Sequence, residues 1–406
     1  MRDAVRSRFD DEVARLARAV NIASGTHNLR GVRRVGKLYD EALRELGFET
    51  RWISLPDSLH RAGHLVAEHA GTSGPWILLI GHLDTVFEGD DQRWVREDTI
   101  GRGAGSSDMK GGNSVMLLAL RALADAGRLR DMRVRVILTG DEESPGRPFA
   151  VSRAALLDLA RRSNVALAFE GGTRSSISVT RRGASSWSLN VTAKQAHSAG
   201  VGGTSAGFGA LYEGARILDG FRRVLASSEF AGATFNVGLA AGGTTVRADS
   251  TGTMFTAEGK TNIVSPRFDA RGDLRYMDDV QRAAVRARMR QIVATSLPGA
   301  RAEITFDDGY PAMPRTAAGD RLVALFDDVN RSLGYGPVTA QSATTRGAGD
   351  ISFVAPFVPG MDGLGTSGGG SHSPTEFVHL PSLRLAAERA AILMSRLADG
   401  QGLTTK

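Results

Sequence analysis

Gly74-Pro75-Trp76-Ile77-Leu78-Leu79-Ile80-Gly81-His82-Leu83-Asp84 is the stretch on which the fold turns. After the Gly-Pro break, the apolar run Trp76 to Ile80 has no polar alternation, as expected of a strand covered on both faces inside a parallel sheet. His82 follows at its C-terminal end, the edge at which open α/β sheets build their sites. A His-x-Asp placed there lets Asp84 accept the second imidazole N–H, which fixes the tautomer that offers the other nitrogen to a metal.

The pattern recurs along the N-terminal third. Gly111 to Ala126 has helical periodicity, and Val134 to Leu138 reads as a strand ending at Asp141-Glu142-Glu143. Val165 to Phe169 is a further strand, ending at Glu170 before Gly171-Gly172. Three adjacent carboxylates repel one another unless cations neutralise them, although a solvated acidic turn competes with that reading. Asp108 lies in a Gly/Ser-rich loop before a helix and fits a helix cap or a metal ligand equally well. Glu170 alone could be a residue leaving the core at a turn, and His372, in Gly370-Ser371-His372-Ser373, a loop histidine. Together these segments bring two imidazoles and several carboxylates without a thiolate, a set suited to two zinc ions and an activated water.

Composition narrows the rest. A chain of 406 residues exceeds what one core usually supports, so two domains are expected. With 42% apolar and 23% charged residues it reads as an ordinary globular enzyme, and no apolar run approaches the ~20 residues of a membrane span. The net charge of +6 comes from arginines scattered among acids, in runs no longer than Arg161-Arg162, so neither a nucleic-acid track nor a membrane-binding face is expected. Cysteine is absent, which excludes disulfides and thiolate ligands. Met1 to Arg18 has Val5, Phe9, Val13 and Leu16 at helical spacing and no apolar leader core, so it reads as a mature surface helix of a cytoplasmic protein.

A second domain is expected to begin around Arg174 to Gly183, where Trp187, Leu189 and Val191 alternate with polar residues as in a sheet with one wet face. Its helices would carry Leu211, Leu218, Phe221 and Leu225 on one stripe and Val280, Val285, Met289 and Ile292 on another. The pattern fits an α+β insert of about a hundred residues, closing near Leu297-Pro298-Gly299. Ala302 to Phe306, the helix Arg321 to Leu333 and the helix Pro381 to Leu397 would then resume the first domain.

In the order and spacing of these motifs, from Asn21-Ile22-Ala23-Ser24-Gly25-Thr26 to the C-terminal helix, the chain resembles a dizinc hydrolase family. That family includes glutamate carboxypeptidase, aminoacylase and succinyl-diaminopimelate desuccinylase, and the likeness is strongest to its glutamate carboxypeptidase-like branch. The resemblance implies an α/β catalytic domain, a mostly parallel sheet with flanking helices, over residues 1–177 and 298–406. A ferredoxin-like α+β lid and dimerisation domain over 178–297 would interrupt it. Asp108 would bridge two divalent metals, Zn2+ first with Mn2+ or Co2+ as alternatives. His82 and Glu170 would complete one site, and Glu143 and His372 the other. Glu142 would be the general base, Asp84 would orient His82, and the Asp108-Met109 peptide would be cis. In the lid, His197 would reach across a homodimer to stabilise the oxyanion, while Asn262 and Arg275 would grip the substrate's carboxylate. Arg275 also fits an exposed strand arginine. Gly368-Gly369-Gly370 resembles a Gly-rich loop whose backbone N–H groups approach that carboxylate.

The implied reaction is hydrolysis, by a metal-activated water, of an amide C–N bond beside a free carboxylate in a small molecule such as a dipeptide, a peptide's C-terminal residue or an N-acyl amino acid. Departures at Gly207-Phe208-Gly209-Ala210, Ser144 to Pro148 and the long stretch Gly242 to Lys260 bear on the substrate entrance, so specificity for glutamate does not carry over. Two alternatives stand beside this reading. The same scaffold could cleave a ureido or amino C–N bond with release of ammonia, or the chain could be a binding module without catalysis.

Overall fold

The run Trp76–Ile80 lies inside a six-stranded sheet. In spatial order the strands are Glu49–Ile53, His64–Ala70, Arg133–Thr139, Trp76–His82, Val165–Ala168 and Gly360–Asp362. The last four run parallel, and the first two join one edge through antiparallel ladders. Ile77, Leu78, Leu79 and Ile80 are at most 2% exposed. Successive side chains of a strand point to opposite faces, so both faces of this strand are covered, as its unbroken apolar run requires. The computed structural model describes residues 1–89, 93–250 and 252–403. Residues 404–406, the end of the expected second catalytic segment, lie outside them.

The chain forms two compact units, Met1–Thr180 with Arg315–Ser342 and Gly349–Lys406, and Arg181–Pro314 with Ala343–Ala348. In the first, the helices Arg2–Val20, Lys110–Asp125 and Leu380–Ala398 pack on one another, and the latter two pack on the Trp76–His82 strand. Leu29–Glu45 covers the antiparallel edge; it starts at Asn28, whose side chain accepts from Gly31 N at 3.0 Å. Among the described residues no helix is long and apolar enough to cross a membrane.

The second unit has a four-stranded antiparallel sheet in the order Thr234–Gly243, Arg267–Tyr276, Gly183–Ala193, Ala300–Asp308. Helix Ala210–Ala226 follows the first strand in sequence and Asp279–Ala294 the third, giving the βαββαβ succession of a ferredoxin-like fold. Trp187, Leu189 and Val191 are buried while Ser186, Asn190 and Thr192 are exposed.

Two expectations about this unit need correction. The strand Ala300–Asp308, expected to resume the first domain, pairs along Gly183–Ala193, with Ala302 opposite Val191 and Phe306 opposite Trp187. The second unit therefore runs past residue 297 to Pro314. The buried stripe of its first helix is Ala210, Gly214, Ile217, Phe221 and Val224, while Leu211 and Leu225 are 45% and 42% exposed. Gly214 sets that rotation, because a Cβ there would lie 2.3 Å from Phe268 Cδ1. In the second helix Val285 and Met289 are buried, but Val280 is 81% exposed.

Helix Lys110–Asp125 also lies close to its sheet. A Cβ on Gly112 would sit 1.8 Å from Phe169 O, in the residue before Glu170. Gly112→Ala must push the helix off the strand end, at a cost of about 1–3 kcal/mol. The expected outcome is a lower melting temperature together with weaker retention of divalent metal. An unchanged melting temperature would contradict this packing.

Candidate metal centre

Parallel strands present their C-terminal ends at one edge, and here three neighbours do so in register. His82 pairs with Thr139, and Ile80 with Ala168. His82, the Asp141-Glu142-Glu143 segment and Glu170 therefore leave the sheet side by side. Asp108 arrives on the loop before helix Lys110–Asp125. The amides of Gly105, Ser107 and Asp108 donate to the carboxylate of Glu376 at 2.9, 2.8 and 2.8 Å. Glu376 is 1% exposed and follows shortly after His372, so one buried carboxylate ties the His372 loop to the Asp108 loop. The Asp108-Met109 peptide is cis.

The side chains converge around Asp108. Its Oδ1 lies 3.3 Å from His82 Nε2 and its Oδ2 3.3 Å from His372 Nε2, so each oxygen faces a different imidazole. His372 Nε2 is also 3.2 Å from Glu143 Oε2, and His82 Nε2 is 3.7 Å from Glu170 Oε1. Ligand atoms of His82, Asp108 and Glu143 all lie within 4.8 Å of one another. His82 Nδ1 lies 3.0 Å from the Asp84 carbonyl and 3.4 Å from Asp84 Oδ1. That side of the ring is thus the donor, and Nε2 is left for the centre.

Asp84 is fully buried and takes hydrogen bonds from Thr26 Oγ1 at 2.6 Å and from the amides of Glu142 and Glu143 at 3.0 and 3.1 Å. It orients His82 and at the same time fixes the backbone that carries Glu142 and Glu143. Gly368–Gly369 pairs with Phe377 and Val378, and Gly370, at φ +69°, turns the chain towards His372. Lys110, buried beside Gly105, donates to the Ile22 and Ala104 carbonyls at 3.1 and 3.3 Å.

The charges show what the cluster lacks. Burial drives Glu142 well above the usual carboxylate range, and the charges of Glu170, Asp350 and Glu143 add to it. Glu143 rises to about 8 through burial, reinforced by Asp108 and Asp84. His372 rises to about 9 through its hydrogen bond to Asp108 and the charge of Glu143. Burial opposes a proton on His82, yet its hydrogen bonds to Asp108 and Asp84 raise it well above the ordinary imidazole value. Asp108 is held low in spite of burial by the two histidines. Protons thus gather where the carboxylates call for positive charge. An oxygen and imidazole donor set of this spacing fits divalent cations.

Asp141 has another role. Its carboxylate takes Arg153 Nη1 at 2.6 Å and Gly146 N at 2.8 Å, while Arg153 Nε binds Asp350 Oδ1 at 2.9 Å. The first acid of the triplet is neutralised by a fully buried guanidinium of the protein itself, leaving Glu142 and Glu143 for the centre. Sequence reading did not find Glu376 or Arg153. Neither sits in a motif; Glu376 acts on a distant loop, and Arg153 joins Asp141 to the distant Asp350.

The remaining expected residues belong to the second unit. His197 is exposed on the short strand Ala196–His197, paired with Ile263–Val264, and its Nδ1 accepts from Ala199 N at 3.2 Å. Asn262 is exposed, and its carbonyl accepts from Ser198 N at 2.9 Å, which brings it next to the His197 segment. Arg275 lies opposite Thr234, with Nε 2.8 Å from Asp273 Oδ2.

With this geometry in hand, comparison with known proteins is decisive. The sequence profile of Peptidase family M20/M25/M40 matches residues 78–396. The chain belongs to this family. It is thus an M20-family hydrolase of the metallopeptidase type. It is 25% identical over 410 aligned residues to carboxypeptidase G2 of Pseudomonas sp. (strain RS-16), covering 95% of this chain and 89% of that one. The fold is that of the aminopeptidase PepT from Bacillus cereus, with TM-score 0.77 and 20% identity over 95% of this chain and 98% of that one. It is also that of the Bacillus subtilis YXEP protein, described as a dinuclear metal binding peptidase, with TM-score 0.65 and 15% identity over 97% of this chain and 99% of that one.

A pH dependence follows from the raised groups. With Glu143 raised to about 8 and His372 to about 9, both would have to give up protons to hold a cation. Zinc affinity should therefore rise between about pH 6 and 9, and binding should release protons. Calorimetric titrations in buffers of different ionisation enthalpy measure that release; a buffer-independent heat at neutral pH would contradict it.

Proposed function

We propose that this M20-family hydrolase is a dinuclear metalloenzyme that cleaves an amide C–N bond beside a free carboxylate, in a dipeptide, a C-terminal residue or an N-acyl amino acid. The observation that carries the reading is the placement of Glu142. Asp84 anchors its backbone next to Glu143, at the end of the strands that deliver His82 and Glu170. Asp108, with one oxygen toward each histidine, would lie between two divalent ions. His82 and Glu170 would serve one ion, and Glu143 and His372 the other. Bound there, zinc, or manganese or cobalt in its place, would polarise the scissile carbonyl and acidify a water.

The chain's own side chains do the rest. Glu142, buried and strongly basic for a carboxylate, would take the proton of the attacking water and deliver it to the leaving nitrogen. Asp84 would keep the His82 tautomer fixed throughout. We assign the second unit as lid and dimerisation domain. Its exposed His197 has the ring nitrogen remote from Ala199 N available to donate to the oxyanion of a partner's site. Arg275, with Asn262, would hold the substrate carboxylate through its guanidinium fork. The Gly369 and Gly370 amides would approach the same group.

Two experiments test this. Zinc-loaded protein incubated with dipeptides, N-acyl amino acids, ureido acids and aminobenzoates should release a free amino acid. Glu142→Ala should lose about 10²- to 10⁴-fold in kcat with its metal content intact. Ammonia without an amino acid, or full activity in the variant, would overturn the reaction or the assigned base. For the lid, His197→Ala should be nearly inactive alone yet regain turnover when mixed with inactive Glu142→Ala, because a mixed dimer holds one intact composite site. No complementation after subunit exchange would remove the cross-dimer role.

A further inference from the structure

On the first unit, a cavity of about 270 Å³ is lined by Arg174, Arg384 and Arg389 together with Tyr335, Ser367 and Ser382. Its charge is not balanced. Arg2 and Arg6 reach the buried Glu388 at 3.1 and 3.9 Å, Arg384 reaches it at 4.0 Å, and the Tyr335 hydroxyl also binds it. One carboxylate thus serves three guanidinium groups. Among the described residues Arg174 and Arg389 have no carboxylate within ion-pair distance. Arg174 is exposed and donates to the Tyr335 carbonyl at 3.3 Å.

Arg389 is the more telling group, being 2% exposed on helix Leu380–Ala398. Its Nη1 donates to the Thr173 and Arg174 carbonyls at 3.1 Å each, yet its buried Nε has no acceptor. Burial pushes this guanidinium down to about 10; Tyr335 opposes the shift and the nearby charge of Arg174 adds to it. A buried cation without a counter-charge is costly, and buried charges are as a rule paired. The cavity also opens beside the first turn of that helix, at Pro381 and Ser382, where the helix dipole favours negative charge.

We propose that this cavity is a ligand site distinct from the metal centre, taking a phosphate-like oxyanion, either free or as the phosphoryl group of a small metabolite. Two guanidinium forks without carboxylate partners match the oxygens of such an anion. The cavity, at about 270 Å³, admits such an ion and leaves room for the rest of a small phosphorylated metabolite. Occupancy would reach the metal centre through backbone. Arg389 grips the Thr173 and Arg174 carbonyls, Ser367 Oγ donates to the Gly172 carbonyl at 2.9 Å, and Gly365 N donates to the Glu170 carbonyl at 3.0 Å. An anion held by Arg174 and Arg389 would brace the segment that carries Glu170.

Titration of inorganic phosphate into the metal-loaded protein at constant ionic strength tests the proposal, with glycerol phosphate as the second arm. Saturable binding is expected, together with slower amide exchange over residues 171–176. Arg174→Gln, an exposed change that keeps the fold, should weaken binding roughly tenfold while leaving metal content and basal turnover unchanged. Arg389→Gln should abolish it. Tighter binding of glycerol phosphate would identify a phosphorylated metabolite, and tighter binding of inorganic phosphate the free ion; both uphold the site. Binding of equal strength in Arg174→Gln would place phosphate on the metals instead, and that result, or no saturable binding at all, would overturn the proposal.

Discussion

Asp84 is the carboxylate on which the centre depends. It has no contact with solvent, and a bare buried charge is costly unless hydrogen bonds replace its water. Four groups do so: the His82 ring, the Thr26 hydroxyl and the amides of Glu142 and Glu143. Burial would raise its pKa, but these partners hold it below the ordinary aspartate value. Satisfying one charge therefore orients the His82 ring, with Nε2 towards Asp108, and fixes the turn that presents two glutamates. The donor geometry follows from where this single residue must find its hydrogen bonds.

The same economy recurs around it. Glu376 is buried, and three amides of the Asp108 loop supply its hydrogen bonds, which brings Asp108 and His372 to one place. Arg153 sits between Asp141 and Asp350, and Thr139 donates to the latter at 2.7 Å, so the acids behind Glu142 find their partners inside the protein. Asp108, Glu142, Glu143 and Glu170 are gathered instead around His82 and His372, and protons are held more tightly there than on ordinary carboxylates and imidazoles. The acids behind the cluster are held by an arginine and a hydroxyl, and those within it face His82 and His372.

Much of this was legible in the chain. Unbroken apolar runs identify buried parallel strands because burial on both faces is a local pattern, and the residues after each run fall at the sheet edge where sites form. Thus His82, the 141–143 triplet and Glu170 were located by residues a few positions away. What escaped depends on distant partners. Ala302, Ile304 and Phe306 alternate as a strand should, but nothing local shows that this strand pairs with Gly183–Ala193 rather than returning to the first domain. The first helix of the second unit offers leucines on more than one stripe, and the close approach of Gly214 to Phe268 decides which stripe is buried. Glu376 and Arg153 look like ordinary surface charges in the sequence; only folding shows them enclosed.

The account's central claim is that the cluster around Asp108 holds divalent metal through these side chains. Anomalous diffraction from crystals of the zinc-loaded protein, collected on either side of the zinc edge, tests it most directly. The account predicts two strong peaks flanking Asp108, one bound by His82 and the other by Glu143 and His372, at about 2.0–2.2 Å from their nitrogen and oxygen atoms. Zinc peaks confined to other parts of the chain, or none at Asp108 in fully loaded protein, would contradict it.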